Sequence, residues 1–449
     1  MIKLNKIPFQ IKQAIKLLNE HGFEAYLVGG SVRDLLCNKI PDDYDLTTSA
    51  QPEQVCQVFA EFQVIPIGLN FGTVSVIIEQ LPIEITTYRI ETEYANFRHP
   101  NQVSFSTDLN TDLARRDFTI NAIAFHPARG LIDPFSGYSD LKNKIIRTVG
   151  RPQERFTEDA LRILRALRFA ASFGFSVESQ TAKSMHQLGY LLNNISRERI
   201  QHEFRQIMLS SDLSTILYDF RDIFAVFIPQ LVATFNFVQH SPYHDYDVFR
   251  HSIKVICNTP PELDLRLAAL YHDIGKPATF SIDDGGIGHF HQHPKISAQI
   301  ARTNMQELKF EKKLIDTVET LVLYHDYPLE LDQIILKRRL RKFGPDTLNK
   351  LITLKKADIA GKSEVIQSEQ INYLNQVSLM LEKILQSKPA LQITDLEIDG
   401  YDVMALGLKG PQIGQVLNQI LDLVLVEKLE NKREPLLKAL EEIVNDLFT

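Results

Sequence analysis

Two carboxylates one residue apart, Asp43 and Asp45 in PDDYDLTTS, follow a glycine pair, Gly29 and Gly30 in LVGGSVRD. On a strand, residues i and i+2 project to one face. Carboxylates held side by side repel unless a cation sits between them. A hard divalent ion such as Mg²⁺ suits that ligand set, with substrate phosphates completing it. The glycine pair lets backbone N–H groups approach an anion, and a helix starting there turns its positive end to it. Arg33 adds a fixed cation, and Glu84 in PIEIT a third carboxylate. Each feature alone has a plain reading: a tight turn, a solvated strand end, an exposed strand position. Asp42 reads as a solvated neighbour. Together the others suit metal-dependent phosphoryl transfer.

A second set comes from VFRHSIKV, LAALYHDIGKP, HFHQHPKISA, LVLYHDYP and LKKADIAGK. It supplies His251, the adjacent His272 and Asp273, then His293, His325 and Asp358. Imidazoles and carboxylates drawn from several helices are typical donors of a buried transition-metal site.

The elements that must position these groups are mixed at first and helical later. Apolar residues from Ile11 to Leu18 recur at helical spacing, and Gly22 ends the run. AYLVGG reads as a buried strand, SVRDLLCN as the first turns of a helix, and DYDLT, TVSVIIE and PIEITTYR as further strands. Residues 90–112 are polar and aperiodic, which predicts a long loop. From Arg151 onward the pattern is almost wholly helical, and near the end the Gly-rich DGYDVMALGLKGPQIG reads as turn-like. The 449 residues suggest two to four domains. With 44% hydrophobic and 23% charged residues, global disorder is excluded. A net charge of −7 excludes a uniformly basic coat but leaves a local basic groove open. Cys37, Cys56 and Cys257 lie too far apart for a disulfide framework and fit a reducing compartment. MIKLNKIPFQ lacks the core of a signal peptide, and no stretch approaches the roughly 20 apolar residues of a membrane span. A cytoplasmic protein without a membrane partner is expected; nothing in the sequence specifies an oligomeric state.

LVGGSVRDLL, DDYDLTTSA, DLARRDFTINAIAF and RFTEDALRILRALRFA occur in that order. They resemble class II tRNA nucleotidyltransferases, the bacterial CCA-adding enzymes, with poly(A) polymerases as close relatives. The resemblance runs from about residue 20 to 210. It implies an α/β head of the polymerase-β type, with a mixed sheet and helices, followed by an all-α neck, body and tail. The implied division is a head at 1–150, a neck and body with a base-selecting helix and RNA-binding surface at 151–240, a further metal-binding unit at 241–365, and a helical tail at 366–449. Asp43 and Asp45, with Glu84, become the catalytic Mg²⁺ carboxylates. Gly29, Gly30, Arg33 and Arg116 become nucleotide contacts, with Asp117 and Asn121 supporting them. Arg115 reads as a surface ion pair.

In EDALR, Asp159 and Arg162 are neighbours on a predicted helix. A carboxylate accepts from the exocyclic amine of C or A, and a guanidinium donates to the ring acceptor beside it. The pair can select C and A without a nucleic-acid template. The same spacing also makes an ordinary helix salt bridge; the surrounding motif favours base reading. Arg165 and Arg168 continue the nucleotide motif, although Arg168 falls about half a turn round from Asp159. Residues 111–170 carry 11 Lys and Arg against 7 Asp and Glu, a local basic surface for triphosphate and RNA. TYRIETEYANFRHPNQVSF resembles the flexible loop of A-adding members, which argues against an enzyme restricted to CC.

The histidine-rich series resembles the HD phosphohydrolase domain. The resemblance makes His251, His272, Asp273 and Asp358 the basic ligand set. His293 and His325 stand where two-metal members carry extra ligands, Lys276 where a phosphate is contacted, and His289 and His291 at the surface. Ni²⁺, Mn²⁺ or Co²⁺ are the candidate ions. IDGYDVMALGLKGPQIGQVL resembles a structural or tRNA-holding segment of CCA-adding enzymes that carry HD domains. The expected activity is addition of C, C and A to a tRNA 3′ end from CTP and ATP with release of pyrophosphate. An HD phosphatase or 2′,3′-cyclic phosphodiesterase would accompany it and trim RNA ends. The rivals are an A-adding enzyme or poly(A) polymerase on the same scaffold, and an HD phosphohydrolase whose head only binds RNA. A nucleotide-sensing regulator would require a missing carboxylate, and none is missing.

Overall fold

Ile11, Ala14, Ile15 and Leu18 are buried along one face of α1 (Phe9–Glu20), as their spacing predicts. They cover a sheet whose central strand, β1 (Ala25–Val28), is apolar and buried at every position. The computed structural model describes residues 6–66, 72–95, 99–240, 246–362 and 364–448; the first five residues of MIKLNKIPFQ lie outside them. The chain forms two compact units, Met1–Val232 with Glu307–Lys309, and Ala233–Gln306 with Phe310–Thr449.

In the first unit, α2 (Gly30–Leu36) follows β1, then β2 (Asp45–Thr48), α3 (Pro52–Val58) and β3 (Gln63–Ile65). Gln51 and Gln54 cap α3 reciprocally and Pro52 opens it, signals that the expectation above passed over. β4 (Thr73–Ile78) and β5 (Leu81–Thr87) alternate buried and less buried residues, as one-sided strands do. The predicted long loop is instead an antiparallel ribbon, β6 (Arg89–Ala95) with β7 (His99–Phe105), followed by α4 (Leu109–Ala114). Ladder hydrogen bonds between two seven-residue runs satisfy a backbone that a loop would leave to water; residues 96–98 lie outside the described ones. β8 (Ala124–His126) and β9 (Gly130–Ile132) complete a mixed sheet in the order β3-β4-β5-β2-β1-β8-β9, with β2 and β5 parallel.

α5 (Gly137–Asn143) packs on the turn Thr119–Asn121. α6 (Pro152–Glu158) and α7 (Leu161–Phe173) succeed each other across a break, and Gly174 in the left-handed region ends α7. Two-residue strands β10 (Ile145–Ile146) and β11 (Ser176–Val177) pair in parallel beside it. α8 (Ser179–Leu188), α9 (Arg197–Met208), α10 (Ser214–Asp219) and α11 (Arg221–Ala225) follow.

The second unit carries α12 (Val248–Asn258), α13 (Leu263–Tyr271), the hairpin β12 (Phe280–Ile282) and β13 (Gly288–Phe290), α14 (His293–Glu307) and α15 (Lys312–Tyr324). The hairpin interrupts what the pattern predicts as unbroken helix; Gly286 at positive φ turns it. α16 (Gln333–Ala360) is broken at Gly344, whose backbone is non-helical, just before Pro345. It packs on α17 (Glu364–Gln386) through Leu336, Leu340, Leu374 and Val377. The segment expected to be turn-like holds α18 (Gly400–Ala405), because Asp399 and Asp402 form a capping box. α19 (Pro411–Leu425) and α20 (Arg433–Phe448) end the chain's described part. Among the described residues no helix is long and apolar enough to cross a membrane.

Gly137 is where α5 meets the Thr119–Asn121 turn. A Cβ there would stand 2.0 Å from the Thr119 carbonyl oxygen. Gly137→Ala should therefore destabilise the protein by about 2 kcal/mol, read as a lower urea midpoint at unchanged slope. An unaltered midpoint would show that the helix retreats without cost.

Candidate active site and candidate metal centre

Three neighbouring strands bring the head groups together. Val28 pairs with Asp45 and Asp45 with Glu84, so the end of β1, the start of β2 and the middle of β5 come together next to the glycine pair. Gly29 has φ 71°, and a Cβ on it would lie 3.0 Å from Arg116 Nη1. Only glycine allows both the turn and that approach. Gly29, Gly30, Arg33, Asp43, Asp45, Arg116, Asp117, Asn121, Asp159, Arg162, Arg165 and Arg168 all border one cleft of about 680 Å³. Glu84 is not in its lining but stands opposite Asp45 on the adjacent strand, exposed.

Asp43 is not on the strand, contrary to the i, i+2 expectation. β1 ends at Val28 and Gly29 turns away; β5 runs on through Leu81–Ile83, but its ladder with β2 begins only at Asp45↔Glu84, and Asp43 lies in the preceding bend. Burial raises the pKa of Asp45, and the nearby charges of Glu84 and Asp43 add to this against the opposing pull of Arg116. A cation among these carboxylates would relieve that crowding, so the residues fit a hard divalent ion.

Much of the remaining lining is arginine, and carboxylates hold those side chains. Arg165 donates to Asp117 through Nε at 2.9 Å and Nη2 at 2.6 Å. Asn121 donates to Asp117 and accepts from Arg33 at 2.8 Å. Both therefore support the arginines. Arg33 also pairs with Asp34 at 2.9 Å, and Arg168 with Glu203 at 2.7 Å. Arg116 and Arg115 both reach the fully buried Asp112. Arg115 is thus an ion pair, but it lines the cleft and is largely buried where a surface pair is expected.

Asp159 departs further from expectation. It is not on a helix with Arg162 but extended in the break between α6 and α7. Its carboxylate accepts from the Leu161 N–H at 3.0 Å, a local bond that competes with helix continuation. Its other oxygen accepts from Arg199 at 2.9 Å. Arg162 turns instead to Glu158 at 2.8 Å and to the carbonyls of Arg155 and Arg115. Arg199 and Glu203, four apart on α9, are not singled out by the sequence pattern beyond their place in a helix. Their spacing in ISRERIQHEF is the signal that both face one way.

In the second unit, Nδ1 of His272, His293 and His325 each donates to the carbonyl three residues before it, Ala269, Phe290 and Val322, at 2.8, 2.9 and 2.6 Å. His251 Nδ1 donates to Gly361 at 3.3 Å. Such bonds leave Nε2 of each ring as the ligating lone pair. His251 and His272 Nε2 lie 3.3 Å apart, and so do those of His293 and His325. Lone pairs that close need a cation. Asp273 closes both pairs, Oδ2 standing 3.3 Å from His272 and Oδ1 3.2 Å from His293. The two triads can each hold an ion, with Asp273 shared. Asp358 Oδ1 stands 2.9 Å from His251 Nε2, within reach of the same ion.

Lys276 reaches Asp273 and Gln239, and Lys362 reaches Asp358. Burial disfavours charge on His272, but Asp273 and Asp358 raise its pKa above the ordinary value. Burial also acts to raise Asp273 and Asp358, yet His272 with Lys276, and Lys362 with His251, hold them well below the carboxylate range. A cavity of about 490 Å³ opens on Asp273, His293, His325 and Asp358. His289 and His291, expected at the surface, border it with their rings stacked 5.7 Å apart; His289 is half-buried and paired with Asp283.

Comparison with known proteins agrees in both units. Residues 25–147 match the Poly A polymerase head domain, 174–234 the probable RNA and SrmB-binding site of polymerase A, and 248–360 the HD domain. The CCA-adding enzyme of Staphylococcus haemolyticus is 32% identical over 443 residues, covering 97% of this chain and 98% of that one. That of Lactobacillus helveticus is 32% identical over 448 residues, covering 99% and 100%. The crystal structure of the Bacillus stearothermophilus CCA-adding enzyme in complex with CTP superposes with a TM-score of 0.71 at 26% identity, over 98% of each chain.

Asp117 makes the arginine lining testable by pH. Burial acts to raise its pKa, but Arg165 and Asn121 outweigh this and bring it to about 2. The folded value lies below the unfolded one, so its stabilisation is complete above about pH 4 and is lost as pH falls towards 2. The unfolding free-energy gap between wild type and Asp117→Asn should shrink by about 2 kcal/mol over that window in urea titrations. A gap constant from pH 6 to 2.5 would refute the ion pair's role.

Proposed function

The chain belongs to the CCA-adding enzyme family, and on that premise we propose which of its residues carry the activity. It is a nucleotidyltransferase that adds C, C and A to a tRNA 3′ end. The observation that carries the residue assignment is the one cleft that Asp43 and Asp45 share with a set of carboxylate-braced arginines. In this reading CTP or ATP lies with its triphosphate against Gly30, Arg33 and Arg116, and the tRNA 3′ hydroxyl attacks the α-phosphate as pyrophosphate leaves. Asp43 and Asp45, with Glu84, would hold Mg²⁺, which supplies charge neutralisation and a more acidic hydroxyl. Asp159 and Arg162 would read the base. Each is fixed from behind by another partner, Arg199 or Glu158, so both orientations are set before a base arrives. Arg165 and Arg168 continue the arginine lining.

The corresponding division of labour is a transferase head at 1–150, a base-selecting and RNA-binding neck and body at 151–240, an HD unit at 241–365 and a tail at 366–449. A cytoplasmic location fits three free cysteines, two of them exposed.

A second activity is favoured by the paired imidazole triads. With Ni²⁺, Mn²⁺ or Co²⁺ on His251, His272, Asp273 and Asp358, and on His293 and His325, the HD unit would hydrolyse phosphate or 2′,3′-cyclic phosphate at RNA ends. Lys276 and Lys362 border the cavity and add positive charge beside a phosphate.

Primer extension tests the head. Wild type should extend tRNA ending at the discriminator base by CCA and tRNA ending in CC by A, leaving unstructured RNA alone; homopolymer A on any RNA would instead favour a poly(A) polymerase. Asp45→Ala and Asp43→Ala should each slow addition at least about 100-fold without loss of fold. Full activity in both would remove the metal assignment. For the HD unit, elemental analysis should find two transition-metal ions per chain and one in His325→Ala. No bound metal, or no phosphate released from cyclic-phosphate-ended RNA with any of these ions or Mg²⁺, would overturn the second activity.

A further inference from the structure

Phe169 lies on α7 and borders the nucleotide cleft, almost wholly buried. The guanidinium carbons of Arg33, Arg165 and Arg168 stand 5.3, 5.5 and 4.4 Å from its ring centroid. An aromatic face attracts cations, and the attraction grows as water is excluded. Each of these arginines is bound on another side by its own carboxylate, Asp34, Asp117 or Glu203. The ring is itself held edge-on by Phe118 at 5.8 Å and stacked with Phe173 at 5.9 Å. Phe118 follows the Arg116–Asp117 motif, so one ring joins the head's motif to the neck's. Phe173, four residues on and on the same face of α7, takes Arg33 alone of the three, at 4.8 Å.

We propose that Phe169 is a positioning residue for nucleotide addition, the common aromatic support that holds three mutually repelling arginines in place on the cleft that receives the nucleotide. The inference rests on the reading of this cleft as the nucleotide site. Phe169 touches no reacting atom in this scheme. It removes the freedom of three long side chains before the nucleotide arrives, so its contribution appears in binding and not in base choice. An aliphatic side chain would fill the space but leave the guanidiniums without a π face.

The test compares Phe169→Leu, Phe169→Tyr and Phe173→Leu in primer extension with CTP and with ATP, normalised to folded protein. Phe169→Leu should raise KM for both nucleotides about tenfold, equivalent to about 1.4 kcal/mol, with kcat and the C-over-A preference little changed. Inhibition by inorganic triphosphate should weaken in parallel. Phe169→Tyr should restore KM, and Phe173→Leu should raise it less than Phe169→Leu. Unchanged KM in both leucine variants, or equal loss in the tyrosine variant, would overturn the inference while wild-type CCA addition leaves the site assignment standing. A wild type that adds no nucleotide would overturn both.

Discussion

Guanidinium groups gathered in one cleft repel one another, and the first unit is organised around holding them there. Arg33, Arg116, Arg162, Arg165 and Arg168 each have a carboxylate, from Asp34, Asp112, Glu158, Asp117 and Glu203 respectively. Several of those acids are nearly inaccessible to water, where an unpaired charge of either sign would be costly. The pairing explains how a chain of net charge −7 maintains a basic cleft. Part of its acid content stands behind the arginines and fixes where their free N–H groups point.

The HD unit solves the converse problem. Four imidazoles and two carboxylates must offer lone pairs to one place without losing them to one another. Local backbone geometry does most of this, because three of the rings hang from the carbonyl three residues earlier at a helix end or turn. Orientation is thus encoded within each short motif, and the helices need only bring the motifs together. Gly361 shows how tight that assembly is, since a Cβ there would lie 3.2 Å from the His251 ring.

Sequence patterns located most of this. Apolar periodicity indicates α1, β1, β4 and β5, and motif order indicates most cleft residues, but not Arg89, Leu161, Phe169 or Arg199. The departures come from pairings, local and distant, that composition and spacing do not display. The β6–β7 ribbon is made by cross-strand pairing, which a polar segment does not advertise. Asp43 and Asp159 were assigned to regular elements because their spacing suited them. The β2 ladder begins only at Asp45 and leaves Asp43 in a bend, and the Asp159 side chain captures the Leu161 N–H two residues on. Arg199 and Glu203 were visible only as helix, since their partners lie 40 and 35 residues away.

The shared ligand of the HD unit bears on robustness. Asp273 contributes one oxygen to each imidazole pair, so the two ion positions are not independent. Redundancy among the histidines is offset by a single point of failure at their centre. A one-codon change there would silence the whole centre, yet it would touch none of the apolar residues that pack α16 against α17 or fill the C-terminal helices. The hydrolytic activity proposed for this unit would therefore be lost in one evolutionary step while the helical domain persists as scaffold.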